Sequence, residues 1–314
     1  MTDDTLSLGF TDSGQSLTDQ WFGKDQRITE ASDVADQGES VGNYRGSELK
    51  RPYSITGDIL AYRRCKRQYG YFDEHGFIPA RATQLFFGRV VHETLDLAHK
   101  HYRGELDNGT KGEIPSDKQI AEFFRRIADS LRAQNMEISE EAEKKALNYV
   151  QQFNRKEGPR LYQDVHDTEH ALRTDKENYI LEGTVDVLLR DGDRIEIWDY
   201  KAGRRPSVSE LEDYEAQLYT YAALYREHNN GELPDGGVIY FLGEETRDKA
   251  QFLIDFEEVD VNQSLEAFEK TVQEIKRSRK NQDWESIENP PSEQTCSVCE
   301  IKRNCPAYEV DESN

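Results

Sequence analysis

Asp186, Asp199 and Lys201 are the residues of this chain best placed to do chemistry. Asp186 closes the stretch Gly183-Thr184-Val185-Asp186, and Asp199-Tyr200-Lys201 ends the next apolar run. Period-two alternation along a strand puts Asp199 and Lys201 on the same face. Asp191-Gly192-Asp193 between the two runs has the composition of a hairpin turn, which lets Asp186 come near that pair. Two carboxylates and a lysine converging at the end of a sheet suit a hard, oxygen-seeking cation such as Mg2+ or Mn2+ beside a scissile phosphate. The cation would lower the pKa of a bound water, and Lys201 would orient that water or stabilise charge on the phosphate. Taken alone, an Asp-x-Lys sequence reads equally as a surface ion pair worth under about 1 kcal/mol.

The four cysteines form a second constellation: Cys65 alone, then Cys296, Cys299 and Cys305 in the pattern CxxCxxxxxCP. Four thiolates on one centre make either a tetrahedral zinc site or an iron-sulfur cluster. Structural zinc usually gathers its ligands as two close pairs, whereas here one knuckle supplies three thiols and the fourth comes from far upstream. That spacing favours a 4Fe-4S cluster over zinc. Free buried thiols or a disulfide are the weaker reading, because the chain shows no secretory signal and no apolar run long enough to span a membrane. A cytoplasmic location is expected.

Composition bounds the rest. A chain of 314 residues is long enough to bury a sizeable core. Its formal charge of −22, with 35% hydrophobic residues, fits disorder, an acidic tail or a surface adapted to high salt. The acids are spread along the chain and well-patterned apolar segments persist between them, which favours a folded, salt-adapted protein. Acidity then does not exclude nucleic acid, since at molar salt the Debye length is only about 3 Å.

Residues 1–49 are rich in Asp, Ser, Gly, Thr and Gln without a sustained period, so they read as a disordered acidic tail. One island interrupts the tail, Gln15-Ser16-Leu17-Thr18-Asp19-Gln20-Trp21-Phe22. It resembles the peptide by which replication and repair proteins bind a sliding clamp, with Thr18 where that motif carries Leu, Ile or Met. The alternative is that Trp21 and Phe22 dock on the chain's own domain.

Residues 50–310 are expected to form one domain. Thr56 is a candidate N-cap for a helix over 58–68, in which Arg63, Arg64, Lys66 and Arg67 surround Cys65 beside an anionic cluster, a phosphate or solvent. Helical periods follow at 85–102, 116–132 and 139–153, a helical layer or lid. His92 lies one turn from Gly88, which would let a backbone or ligand approach closely. Strands are expected at 168–172, 179–190, 194–200, 238–242 and 252–256, with helices at 207–225 and 262–279. That order argues for an α/β domain, a mixed sheet flanked by helices.

Read together, Gly88 to His92, Gly183 to Asp186, Asp199-Tyr200-Lys201, Gln217-Leu218-Tyr219-Thr220-Tyr221 and the split cysteines resemble the PD-(D/E)xK nucleases of the RecB class. They are most similar to the iron-sulfur branch with AddB-type nucleases, CRISPR-associated exonucleases and helicase-linked nuclease domains. The resemblance covers residues 53 to about 308. It implies a restriction-endonuclease-like core with an iron-sulfur clasp, His92, Asp186 and Asp199 as metal ligands with the Tyr200 carbonyl, and Lys201 as the catalytic amine. Gln217 and Tyr221 would support the site or touch the DNA backbone. The family often carries Glu where this chain has Asp199, and the shorter carboxylate still ligates. Glu169 reads as an accessory acid or an exposed strand residue. Lys276, Arg277, Arg279, Lys280, Lys302 and Arg303 would border a single-strand channel, with Tyr62, Tyr69 and Tyr71 as stacking platforms or core.

The expected function is a metal-dependent DNA exonuclease acting on single strands or ends in repair or recombination, partnered by a helicase or a sliding clamp. A non-catalytic iron-sulfur DNA-binding module and a zinc-clasped endonuclease are the alternatives.

Overall fold

A computed structural model of the chain describes residues 50–76, 82–106, 110–206 and 208–285, together with 291, 295, 296 and 299–305. The Gln15 to Phe22 island lies outside the described residues. A compact unit starts at Lys50.

Six strands form one mixed sheet among these residues: β1 (Pro52–Ser54), β2 (Val165–Asp175), β3 (Ile180–Asp191), β4 (Arg194–Lys201), β5 (Gly236–Phe241) and β6 (Gln251–Ile254). The expected hairpin between β3 and β4 is present, with Gly192 at φ +62°, a left-handed position that favours glycine. The other strands run longer or shorter than their sequence patterns by a few residues. The strand β1 had no sequence signal, because three residues are too few to show a period.

The long helices are α1 (Ala82–Arg103), α2 (Asp117–Ala133), α3 (Glu140–Leu161), α4 (Val208–His228) and α5 (Glu258–Asn281). Helix α2 starts in a capping box in which Ser116 and Gln119 satisfy each other's backbone N–H groups. Helix α3 runs beyond the expected end at 153 and through Pro159, and this last stretch buries Asn154, Glu157, Gly158 and Leu161.

Side-chain alternation divides the core between the two faces of the sheet. Trp198 and Tyr200 of β4, and Val238 and Tyr240 of β5, pack with α1, α2 and α3. Ile195 and Ile197, with Ile239 and Phe241, pack with α4 and α5. Along β3 the alternation breaks at Asp186, since Val185 joins the second core and Val187 the first.

The helix expected over 58–68 is instead a series of short turns. Ser54, not Thr56, is the cap: its hydroxyl accepts from the Gly57 N–H at 3.0 Å. Cys65 then interrupts the segment with an extended backbone, φ −162°, and its sulfur accepts from the Gln68 N–H at 3.4 Å to start the next turn. Of the basic residues here Arg63 and Arg64 are exposed, and three of the four have partners on the fold. Arg63 donates to Thr271 and Ala267, Lys66 pairs with Asp283, and Arg67 is buried beside Glu285.

Two further expectations are corrected. Tyr62 and Tyr69 are buried, Tyr69 donating to Asp58 at 2.7 Å, so neither can stack a base. In the basic run of α5, Arg279 is spent on Glu74 and Tyr53 and Lys276 on the Asn178 carbonyl, so these two are corrected as channel residues, whereas Arg277 and Lys280 are exposed.

Candidate active site

The site lies at a gap in the sheet. Strand β2 pairs with one edge of β3 along its length, so β1 and β4 must share the other edge. On that edge β1 reaches only to Glu182 and β4 only from Val187, which leaves Gly183 to Asp186 without a ladder partner. Through this opening, groups carried by the helices on opposite faces of the sheet reach one another. A cavity of about 630 Å³ occupies the place, and its lining includes His92, Asp186, Asp199, Lys201, Gln217 and Tyr221.

His92 comes from α1 on one face. Its Nδ1 lies 3.2 Å from Asp186 Oδ2, and the same oxygen accepts from the Tyr200 N–H at 2.7 Å. Burial opposes a charge on His92, but the Asp186 carboxylate, with Asp199 behind it, outweighs this and lifts the imidazole to about 9. Burial likewise opposes ionisation of Asp186, yet His92 and Lys201 hold its carboxyl below the usual range.

Asp199 and Lys201 share the opposite face, as period two requires. Lys201 Nζ stands 2.7 Å from Asp199 Oδ2 and 2.8 Å from Gln217 Oε1, with the Tyr214 ring at 4.8 Å. The contact with Oδ2 is an ion pair off the line of a hydrogen bond, so this buried oxygen accepts none. Burial raises the Asp199 carboxyl against the pull of Lys201. Burial also works against the Lys201 ammonium, but Asp199 and Asp186 keep it protonated well into the alkaline range.

Gln217 on α4 fixes this pair. Its amide nitrogen donates to Asp199 Oδ1 at 2.7 Å and to the Tyr221 hydroxyl at 2.9 Å, while its oxygen accepts from Lys201. Gln217 and Tyr221 meet because residues four apart share a helix face. Tyr221 can pack over β3 only because residue 183 is glycine, where a Cβ would stand 2.7 Å from the ring. At Gly88, by contrast, a Cβ would meet nothing within 4 Å, so no backbone approach requires that glycine.

The expected side chains of the site line one cavity, and Tyr200, expected there through its carbonyl alone, sends its side chain elsewhere. Its ring points into the first core, where it stacks on His99 and its hydroxyl shares a 3.1 Å hydrogen bond with His99 Nε2. Only its backbone faces the site. Tyr214 was missed as a site residue, although its place three residues before Gln217 on α4 was a signal. Glu169 is exposed by area, and one of its carboxylate oxygens lies near His92 and Asp186.

The donors fit a divalent cation. One ligand atom each from His92, Glu169 and Asp186 lies within 4.8 Å of the others. Opposite oxygens on an octahedral Mg2+ stand about 4.2 Å apart. Asp199 Oδ2, buried and without a hydrogen bond, is a further donor of the right charge.

The cysteines lie outside this cavity. Burial raises the Cys65 thiol, and the charges of Cys299 and Cys305 add to the rise. Cys296 is raised by burial and then by Cys65, Cys299 and Cys305. The knuckle thus comes within electrostatic range of Cys65, and the Gln68 side chain donates to Cys299 Sγ at 3.6 Å. Among the described residues the thiols do not close into a set of three within 4.8 Å of one another.

Residues 57–306 match the family model of the PD-(D/E)XK nuclease superfamily. Two solved structures are similar at low identity. The first, described as "Putative exonuclease" from Eubacterium rectale, is 14% identical over 85% of this chain and 94% of its own, with a TM-score of 0.47. The second, SSO0001, is 15% identical over 78% and 96%, with a TM-score of 0.34. No curated protein matches the chain.

Proposed function

The chain belongs to the PD-(D/E)XK nuclease superfamily, and from that premise we propose that it is a Mg2+- or Mn2+-dependent exonuclease of the RecB/AddB-like iron-sulfur branch. Its substrate is single-stranded DNA or DNA ends, and its setting is repair or recombination. The observation that carries the reading is the meeting of His92 and Asp186 from one face with Asp199, Lys201 and Gln217 from the other across the gap in the sheet.

His92, Asp186, Asp199 and the Tyr200 carbonyl would hold the cation. When bound, it supplies a water of lowered pKa and a positive charge beside the phosphate. Lys201 enters the reaction as an ammonium, so it donates a hydrogen bond and offsets charge at phosphate oxygens and takes no proton from water. Gln217 positions both Lys201 and Asp199, and so fixes the distance between the amine and the cation's carboxylate.

Cys65, Cys296, Cys299 and Cys305 would hold a 4Fe-4S cluster that fastens the segment before the sheet to the segment after it. The thiols' mutual electrostatic influence supports this, as does the Gln68 contact to Cys299. The cluster is structural here, its binding energy serving as folding energy.

The test is digestion of end-labelled single-stranded DNA, duplex DNA and RNA by the anaerobically purified chain with Mg2+ or Mn2+. Shortening of single-stranded DNA from an end is expected. Internal cutting or preference for RNA overturns the substrate assignment, and colourless, zinc-loaded protein overturns the cluster.

A further inference from the structure

We propose that Glu169 is a further ligand of the divalent cation, reaching it from the solvent side of Asp186; the inference rests on the cation-dependent reading above. Its carboxylate has no hydrogen-bond or ion-pair partner among the described residues, yet one of its oxygens lies within 4.8 Å of ligand atoms of both His92 and Asp186. Asp199 Oδ2, buried and paired with the Lys201 ammonium alone, brings a further carboxylate to the cavity that His92 and Asp186 line.

The backbone is arranged to bring Glu169 there. It sits opposite Asp186 in the β2–β3 ladder, between the pairs Thr168–Val187 and His170–Val185. Its φ is +49°, a left-handed conformation that residues other than glycine rarely adopt. Neighbouring side chains hold this conformation in place. Thr168 donates through its hydroxyl to Asp96 at 2.6 Å, and His170 Nδ1 lies 2.6 Å from Asp167. Asp96 lies one turn beyond His92 on α1, so the helix that presents the imidazole also anchors the strand beside Glu169. The crowding has an electrostatic consequence: exclusion of water on the site side, then the Asp186 and Asp96 charges, lift the Glu169 carboxyl to about 7. A bound cation relieves that repulsion.

The experiment measures Mn2+ binding to the full, anaerobically purified chain by the paramagnetic resonance signal of free Mn2+, with no DNA present. Glu169→Gln keeps the shape and removes the charge. Its Mn2+ affinity is expected to fall roughly 10–100-fold, the range seen when metal-site support is lost, with thermal stability of the metal-free protein not lowered. Glu169→Asp is expected to recover part of the loss. Glu93→Gln, which removes a nearby charge engaged with Arg89, is expected to change affinity less than twofold. The ligand role is overturned if Glu169→Gln binds Mn2+ like wild type while Asp186→Asn does not, or if Glu93→Gln weakens binding as much as Glu169→Gln. Wild type that binds no Mn2+ overturns the cation site itself, and this inference with it.

Discussion

Gln217 does the most with the fewest atoms. Its single amide orders three side chains of the site, and it is only 3% exposed, so no water can take its place. Gln217→Ala should leave Lys201 and Asp199 paired but no longer fixed in orientation. We expect a fall of about 10²-fold in kcat on single-stranded DNA, the size of effect that small losses of alignment produce, with little change in KM. A larger rise in KM than fall in kcat would show that Gln217 binds DNA directly.

Two histidines of α1 give the metal-free protein opposite pH limbs. Burial, with Arg103 adding to it, holds His99 down at about 3, whereas Asp186 holds His92 up at about 9. An unfolded histidine titrates near 6.5. Between about 3 and 6.5 the unfolded chain therefore binds a proton at residue 99 that the folded chain does not, and stability falls as pH drops through that window. Between 6.5 and 9 the folded chain holds the extra proton at His92, so its contribution is full below 6.5 and lost as pH rises to 9. In thermal melting of metal-free protein from pH 5 to 9 the two limbs are read as differences between wild type and variants, because the Glu169 carboxyl, raised to about 7, titrates across the same range. His99→Gln should flatten the acid side and His92→Gln the alkaline side.

At the scale of elements, the gap between β1 and β4 is what makes the site. A continuous ladder would place α1 residues and α4 residues on opposite sides of a closed sheet. The gap stays open because Tyr221 packs against Gly183 and the Asp186 side chain, in place of a strand, accepts the Tyr200 N–H. Gly183→Ala forces its Cβ against the Tyr221 ring and should destabilise the fold by about 1–3 kcal/mol, read from urea unfolding. Nuclease activity should fall with it, because Tyr221 also orients Gln217. The proposed clasp would act between elements as well. Cys65→Ala is expected to lose the cluster's absorbance and to lower Tm and activity together; a variant that stays stable and active without the cluster would refute the clasp.

How much of this the sequence revealed depended on the element. The β3–β4 hairpin was legible because two long apolar runs flank a Gly-centred turn, and Asp199 and Lys201 then followed from period two. Helix α2 carried a clear 3.6-residue pattern. The segment around Cys65 was not legible, since its break comes from a thiol capping Gln68 and no propensity encodes that. Strand β1 is three residues long and owes its place to β3. Glu169 could not be assigned either, because only the positive φ aims it, and a sequence does not display a dihedral angle.

At the scale of the whole molecule, the charge of −22 sets the conditions under which the fold works. Many acids are paired locally, as Glu74 is with Arg51 and Arg279, but the net excess remains and repels itself. Screening shrinks the Debye length from about 10 Å at 0.1 M salt to about 3 Å at 1 M. The proposed salt adaptation predicts a Tm that climbs by several degrees between 0.1 and 2 M KCl, measured with the cluster intact. A Tm indifferent to KCl would remove that proposal. Among the described residues no helix is long and apolar enough to cross a membrane.

The measurement that bears most directly on the account is single-turnover cleavage of end-labelled single-stranded DNA in high KCl, with Mn2+ titrated into EDTA-stripped protein. Wild type, Asp186→Asn, Asp199→Ala and Lys201→Ala are compared. The account predicts no cleavage without metal, saturable cleavage by wild type, and loss of at least about 10²-fold in each variant, with the carboxylate variants also needing more Mn2+. Cleavage by the stripped protein, or undiminished cleavage by Asp199→Ala and Lys201→Ala, would contradict it.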